Sequence, residues 1–471
     1  MMKFYQSCLD RISNNSRIAP FFFEEWDNHT LLLTNDLCNY SFISQEQFLA
    51  LLEGKNPNDE LSQKGFTISD DYECWASDHS LHYLGSHQYL ARATNLFIIV
   101  LTLECELRCT YCQAKKSRDI AKHTHMTPEG AQKAAARILE SPSPHLVVEF
   151  QGGEPLMNVE CLSLIISEVK ASAAAAGKTC SFQMTTNAQS ITEEIAEYLI
   201  REEIAVTVSL DGPATLHNFN RPVKGTGRLN HSVLLGWLKY FRERHAKIHA
   251  IPTITKESLA KPERIVDAYV ENGFEQIFLS PQKPLGRGTK MRYSPEEFAD
   301  FYGRSLQYIV RKNDGGQRIA DGLLKNIASK IWLKKAQNHM EFRSPCGAAI
   351  GQIAIDWNGS VYTCDEGRML AQEGDSCFCL GNVDERYSQW INQALVKQVA
   401  CASCLESSIP CAMCVYMPFC AICPVINVKL NQTPFLFSSQ EWWCRMRKGM
   451  FRKAFEVIRE RPDLVRSWIE V

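Results

Sequence analysis

The chain has 471 residues, 45% of them hydrophobic, and a formal net charge of −2. These values leave room for roughly three domains and exclude both a basic nucleic-acid footprint and a disordered polyelectrolyte. The longest apolar run, Leu96 to Leu103, is far too short to cross a bilayer, and the opening MMKFYQSCLDRISNNS has no apolar signal core, so a cytoplasmic protein with no nucleic-acid or membrane partner is expected. Nineteen cysteines in a reducing compartment point to metal rather than disulfides. Three sit close together early in the chain and eleven fall between Cys346 and Cys444, which implies two metal regions.

In chain order, residues 1–93 read as a small α+β module: LLLTN and NYSFIS suit strands, QEQFLALLEG suits a helix, and ELSQKGFTI a short continuation. Residues 94–325 then alternate strand-like runs (NLFIIVLTL, LVVEFQ, SFQMTTN, AVTVSL, AIPTIT, QIFLS) with helical patterns such as PEGAQKAAARILE. Thr127-Pro128 reads as a helix start, and Ser294 to Glu297 as a capping box. Six β/α units imply a parallel sheet with right-handed crossovers, too few for a closed eight-stranded barrel. The expected fold class is therefore α/β, a partial (β/α)6 TIM-like barrel whose ligands gather at the C-terminal ends of the strands. A helical stretch, Ala320 to Lys335, leads into the cysteine-rich region, and residues 326–471 are taken as a linker helix and a metal-binding domain.

Cys105, Cys109 and Cys112 directly follow the first barrel strand with x3 and x2 spacing. Three thiolates can hold a cubane iron-sulfur cluster and leave its fourth iron open to a substrate, whereas a structural zinc site normally takes four ligands. Gln151-Gly152-Gly153-Glu154-Pro155 follows the second strand; alone it is a turn, but one β/α unit after the cysteines it gains meaning, because glycine admits close backbone approach and Glu154 can accept from an ammonium group. Thr186-Asn187 ends the third strand and Ser209-Leu210-Asp211-Gly212-Pro213 the fourth, with Arg221 twelve residues after Ser209. Polar strand ends suit ribose and carboxylate contacts, and solvated turns are the bland account of each. The C-terminal set runs Cys346-x12-Gly359-x4-Cys364, then Cys411-x2-Cys414-x5-Cys420-x2-Cys423, then Cys444. Paired Cys-x-x-Cys units also suit a zinc ribbon. Cys8, Cys38, Cys74, Cys161, Cys180, Cys377 and Cys379 have no motif partner and read as small core residues.

Together, the cysteine triplet with Tyr111 before its last member and the Gly-Gly-Glu-Pro loop resemble the radical S-adenosylmethionine (radical SAM) enzymes. The resemblance implies S-adenosylmethionine bound to a 4Fe-4S cluster on Cys105, Cys109 and Cys112. Its cleavage would yield a 5′-deoxyadenosyl radical that abstracts hydrogen from the substrate. The cofactor would lie against Gln151 to Pro155, Thr186, Asn187, Ser209, Asp211 and Arg221. The C-terminal cysteines resemble the SPASM extension, whose usual last interval is x3, and imply two auxiliary 4Fe-4S clusters, three in all. By that analogy Cys411, Cys414, Cys420 and Cys444 hold the distal cluster and Cys346, Cys364 and Cys423 the proximal one. Sulfatase maturases have another cysteine where this chain has Gln352, so Cys401 or Cys404 replaces it or the proximal cluster keeps an open iron. Over nearly its full length the chain resembles the His-Xaa-Ser system radical SAM maturases of the HxsB group. That likeness implies a ribosomally made precursor peptide as substrate, a second radical SAM maturase, and a flavodoxin or ferredoxin as reductant. The module at 1–93 is then a candidate for leader-peptide capture by strand addition, or a cover for the barrel. Two alternatives stand beside it. One is a sulfatase-type maturase oxidising Cys or Ser of a protein, in which Asp365, directly after Cys364, accepts the substrate's proton. The other is a non-catalytic iron-sulfur or zinc scaffold.

Overall fold

The computed structural model describes residues 18–55, 59–68, 71–114, 123–225, 230–289, 292–336 and 342–470. The readings of residues 1–16 and of Cys8 lie outside these. Strands β1 (Phe22–Glu25), β2 (Thr30–Thr34) and β3 (Tyr40–Ser44) form an antiparallel sheet with β2 in the middle. Ser44 ends β3 and starts the helix Gln45–Leu52 through a capping box with Gln47, as the sequence reading of a strand followed by a helix expects. Leu31, Leu33, Ile43, Phe48, Leu51 and Phe66 close a small core of their own. The opposite face, with Trp26 and Leu32, belongs to the main core, so the module is welded to the rest rather than tethered.

The central sheet holds five parallel strands in sequence order, β4 (Leu96–Thr102), β5 (His145–Gly152), β6 (Thr179–Thr186), β7 (Ala205–Ser209) and β8 (Ile248–Ile251). The helices between them, including Pro128–Leu139 and Val159–Ala175, supply apolar faces that bury Phe97, Ile99, Val148, Phe150 and Ile165. A sixth continuous strand is not formed. Pro252 separates β8 from β9 (Thr253–Ile254), and QIFLS divides into β10 (Gln276–Ile277) and β11 (Ser280–Pro281), with β11 parallel to β9 and β10 parallel to β12 (Ala320–Asp321). Proline has no N–H to give a sheet ladder, which is why the fifth expected run, AIPTIT, is broken at Pro252.

On the other side of β4 the sheet continues through β13 (Gln352–Ile355), which is parallel to β4, and then antiparallel β14 (Ser360–Tyr362) and β15 (Cys379–Asn382). The eight strands thus form one mixed sheet that runs across the expected boundary at residue 326. No described helix is long and apolar enough to cross a membrane.

Candidate active site and metal centres

The loop after β4 carries Cys105, Cys109 and Cys112, each partly buried, at the C-terminal end of the parallel sheet. Parallel strands deliver all their C-terminal loops to one end, so the loops after β5, β6 and β7 meet it there. Gly153 is obligatory at this junction: a Cβ on it would lie 2.1 Å from the Glu104 carbonyl oxygen, and its own N–H donates to the Thr102 carbonyl at 2.7 Å. The next amide, of Glu154, donates to the Glu104 carbonyl at 2.7 Å, so the cysteine loop and the Gly-Gly-Glu-Pro loop are stitched backbone to backbone.

The Glu154 side chain is fully buried and accepts from Thr186 Oγ1 at 2.8 Å, the Asn187 amide at 2.8 Å and the Leu156 amide at 3.2 Å. Burial pushes its carboxyl up to about 7 despite those donors. Asn187 Nδ2 also donates to Cys105 Sγ at 3.3 Å, so the end of β6 touches both loops. Gln151 points instead to Glu149, donating to its carboxylate at 2.5 Å, with Gln183 donating at 2.7 Å; Pro155 opens the short helix Pro155–Asn158.

Asp211 is buried between several donors: Tyr111 Oη at 2.7 Å, Arg221 Nε at 3.0 Å and Nη2 at 3.1 Å, and the Thr253 amide at 3.1 Å. Burial alone would raise its carboxyl, but the Arg221 guanidinium and the other donors outweigh it and hold Asp211 below the ordinary carboxylate range. Arg221 also lies over the Tyr111 ring, 5.2 Å from its centroid. The structure therefore commits much of Asp211 and Arg221 to each other and to the cysteine loop, and leaves Ser209 buried at the end of β7. Sequence reasoning missed the segment after β11. Gly286, at φ +59, has no room for a Cβ beside the Cys112 carbonyl, and Arg287 donates from its backbone to Cys112 at 2.8 Å and from Nη1 to the Cys109 carbonyl at 3.1 Å. The glycine-rich PLGRGT after the last strand-like run was the available signal.

The C-terminal thiols fall into two groups. Cys346, Cys364 and Cys423 line one cavity, which Lys283, Gln352, Glu366 and Arg447 also border. Cys411, Cys414, Cys420 and Cys444 line a second, which Cys423 also touches. Neither cavity includes Cys401, which is exposed, or Cys404, whose sulfur lies 3.2 Å from the Glu406 carboxylate. Cys364 also caps the helix Asp365–Ala371, its sulfur accepting from the Gly367 amide at 3.3 Å. Asp365, first in that helix, is buried and accepts from Arg368 Nε at 2.8 Å. Of the cysteines without a motif, Cys38 and Cys161 are buried as expected, but Cys74 and Cys377 are exposed.

These donor sets fit iron-sulfur clusters. Burial raises the thiols of Cys105, Cys109, Cys364, Cys423, Cys411, Cys414 and Cys444 above their ordinary value, so ionised sulfurs are at home in these places only opposite positive charge. Among the described residues no three His, Cys, Asp or Glu side chains converge closely enough to hold a single metal ion. A cubane spreads its ligands over several irons, and thiols ringing a cavity meet that requirement.

Comparison with known proteins agrees with this arrangement. Residues 99–269 match the model of the radical SAM superfamily. A cysteine-type anaerobic sulfatase-maturating enzyme of Clostridium perfringens is 24% identical over 273 residues, which is 55% of this chain and 71% of that protein. The structure of native anSMEcpe with bound AdoMet and Kp18Cys peptide superposes with a TM-score of 0.66 at 18% identity, over 80% of this chain and 100% of the other. Streptococcus suis SuiB bound to precursor peptide SuiA superposes with a TM-score of 0.55 at 16% identity, over 90% of this chain and 99% of the other. Residues 99–269, which carry Cys105, Cys109, Cys112 and the Gly-Gly-Glu-Pro loop, thus match the radical SAM superfamily, and the protein that carries them is an enzyme.

Proposed function

We propose that the protein modifies a ribosomally made precursor peptide of the His-Xaa-Ser type, using one catalytic and two auxiliary 4Fe-4S clusters. The observation that carries the peptide reading is the extent of the likeness to SuiB, whose bound partner is a precursor peptide and whose fold runs through 90% of this chain. S-adenosylmethionine bound beside a reduced cluster supplies a carbon radical that removes a hydrogen atom from the substrate.

The chain's own residues then have distinct tasks. Cys105, Cys109 and Cys112 hold the catalytic cluster. Glu154, steadied by Thr186 and Asn187, accepts from the cofactor's ammonium group, while Gln151, Ser209 and Asn187 border the cofactor. The Asp211–Arg221 pair keeps the Tyr111 segment of the cysteine loop in register with β7, and Arg221 balances charge near Cys109. Cys411, Cys414, Cys420 and Cys444 hold the distal cluster; Cys346, Cys364 and Cys423 hold the proximal one. Asp365 receives the proton lost as the substrate is oxidised. Strands β1 and β3, outermost in the first sheet, offer edges to a leader peptide, and a flavodoxin or ferredoxin and a second radical SAM maturase complete the system.

The test is to incubate reconstituted enzyme, reductant and S-adenosylmethionine, without oxygen, with a His-Xaa-Ser precursor or with a sulfatase peptide carrying the target Cys. Release of 5′-deoxyadenosine with a mass change in the precursor alone is expected. A mass change only in the sulfatase peptide would move the assignment to the maturase alternative.

A further inference from the structure

Three thiols border the first cysteine cavity, and a cubane held by three thiolates has one iron without a protein sulfur. The carboxylate of Glu366 borders the same cavity. Glu366 lies in the first turn of the helix that Cys364 caps with its sulfur, so one local structure holds both groups at the cavity wall. Its Oε1 accepts from Lys283 Nζ at 2.6 Å, and the two side chains are only 23% and 18% exposed. Three thiols and one carboxylate thus border a single cavity, a donor set that suits a cubane. Of the other candidates, Cys401 and Cys404 do not reach the cavity, and the neutral amide of Gln352 is a weaker ligand for iron than a carboxylate.

We propose that Glu366 is the fourth protein ligand of the cluster held by Cys346, Cys364 and Cys423, with one carboxylate oxygen on the iron that lacks a thiolate and the other on Lys283. The inference rests on reading that cavity as a cluster site. It makes the proximal cluster a closed electron carrier with one oxygen ligand, rather than a cluster that binds substrate.

The test uses full-length protein carrying Cys105→Ala, Cys109→Ala and Cys112→Ala together, so that no open iron remains at the catalytic loop. Reconstituted without oxygen, this parent should hold about eight iron atoms in two cubanes. Reduced samples are mixed with 13C-cyanide and examined by electron-nuclear double resonance. The parent should show no 13C coupling; adding Glu366→Gln should bring it out while iron stays constant, and Glu366→Cys should abolish it again. Coupling already present in the parent, or absent from the Gln variant with iron retained, overturns the proposal, as does coupling that appears only when Cys401 and Cys404 are replaced. If the Gln variant loses the cluster, recovery of iron in Glu366→Cys but not Glu366→Ala sustains the ligand role, and failure to recover it removes that role. A Cys364→Ala protein with unchanged iron would instead defeat the underlying reading of the cavity.

Discussion

Glu154 and Asp365 are both buried carboxylates, with different neighbours. An ordinary glutamate ionises near 4.5, but Glu154 keeps its proton up to about 7 because burial opposes the charge. Between those values the unfolded chain has already released its proton and the folded chain has not, so this group's contribution to stability falls as pH rises through that window and is constant above it. Binding an ammonium group needs the ionised form. The affinity of the cluster-loaded enzyme for S-adenosylmethionine should therefore rise about tenfold per pH unit below 7 and level off above it. Titration calorimetry from pH 5.5 to 8 would show this, and a flat profile would take Glu154 out of that role. Asp365 instead faces Arg368, whose side chain is 1% exposed. Asp365→Asn should lower stability by about 1–3 kcal/mol, because it removes the charged partner 2.8 Å from the buried Arg368 guanidinium while the buried Asp356 carboxylate still acts on it. In the fraction that folds, deuterium should still pass from a labelled peptide into 5′-deoxyadenosine, while product falls severalfold. Normal product in a folded, cluster-replete variant would assign Asp365 to holding Arg368 alone.

At the scale of elements, the first sheet is fixed to the C-terminal part of the chain. Thr34 Oγ1 donates to the Val415 carbonyl at 2.6 Å, Tyr40 packs 5.8 Å from Phe455, and Arg452 lies 4.4 Å from the Trp26 ring centroid. Val415 stands between Cys414 and Cys420, and Phe455 and Arg452 belong to the helix Trp442–Glu460 that carries Cys444. Removing the module would thus uncover apolar surface beside the distal cysteines, and a deletion would confuse binding with folding. Strand addition predicts something more local: with leader peptide bound, amides of either Phe22–Glu25 or Tyr40–Ser44 should exchange with deuterium more slowly, and those of central β2 should change little. Equal exchange in both outer strands with peptide saturating would leave the module as a cover for the barrel.

For the whole molecule, the mixed sheet is the frame that relates the Cys105–Cys112 loop to the C-terminal cysteines. Because β13 is hydrogen-bonded to β4, the strand that leads into Cys105, Cys109 and Cys112 is tied to the segment that follows Cys346. Replacing Cys105, Cys109 and Cys112 by Ala should therefore remove about four of about twelve irons without disturbing the two C-terminal groups, and abolish cofactor cleavage. Iron and sulfide assays on oxygen-free protein measure this; stoichiometric zinc with iron for one cluster would count against it.

The sequence by itself determined the alternation of strands and helices, the cysteine spacings and the Gly-Gly-Glu-Pro loop, because each is a local pattern written in neighbouring residues. Helix starts at Thr127 and Ser294 were legible for the same reason: the capping side chain and the amide it serves are three residues apart. The broken fifth and sixth strands were less so, although Pro252 marks the first break, since only the pairing of β9 with β11 shows what the chain does instead. That Cys401 and Cys404 border neither cysteine cavity was decided by tertiary structure alone. So were the union of β13 with β4, the engagement of Arg221 by Asp211, and the presence of Glu366 among three cysteines. Spacing specifies ligands only within one loop or helical turn; groups brought together across the core depend on how whole elements pack, and no local pattern records that.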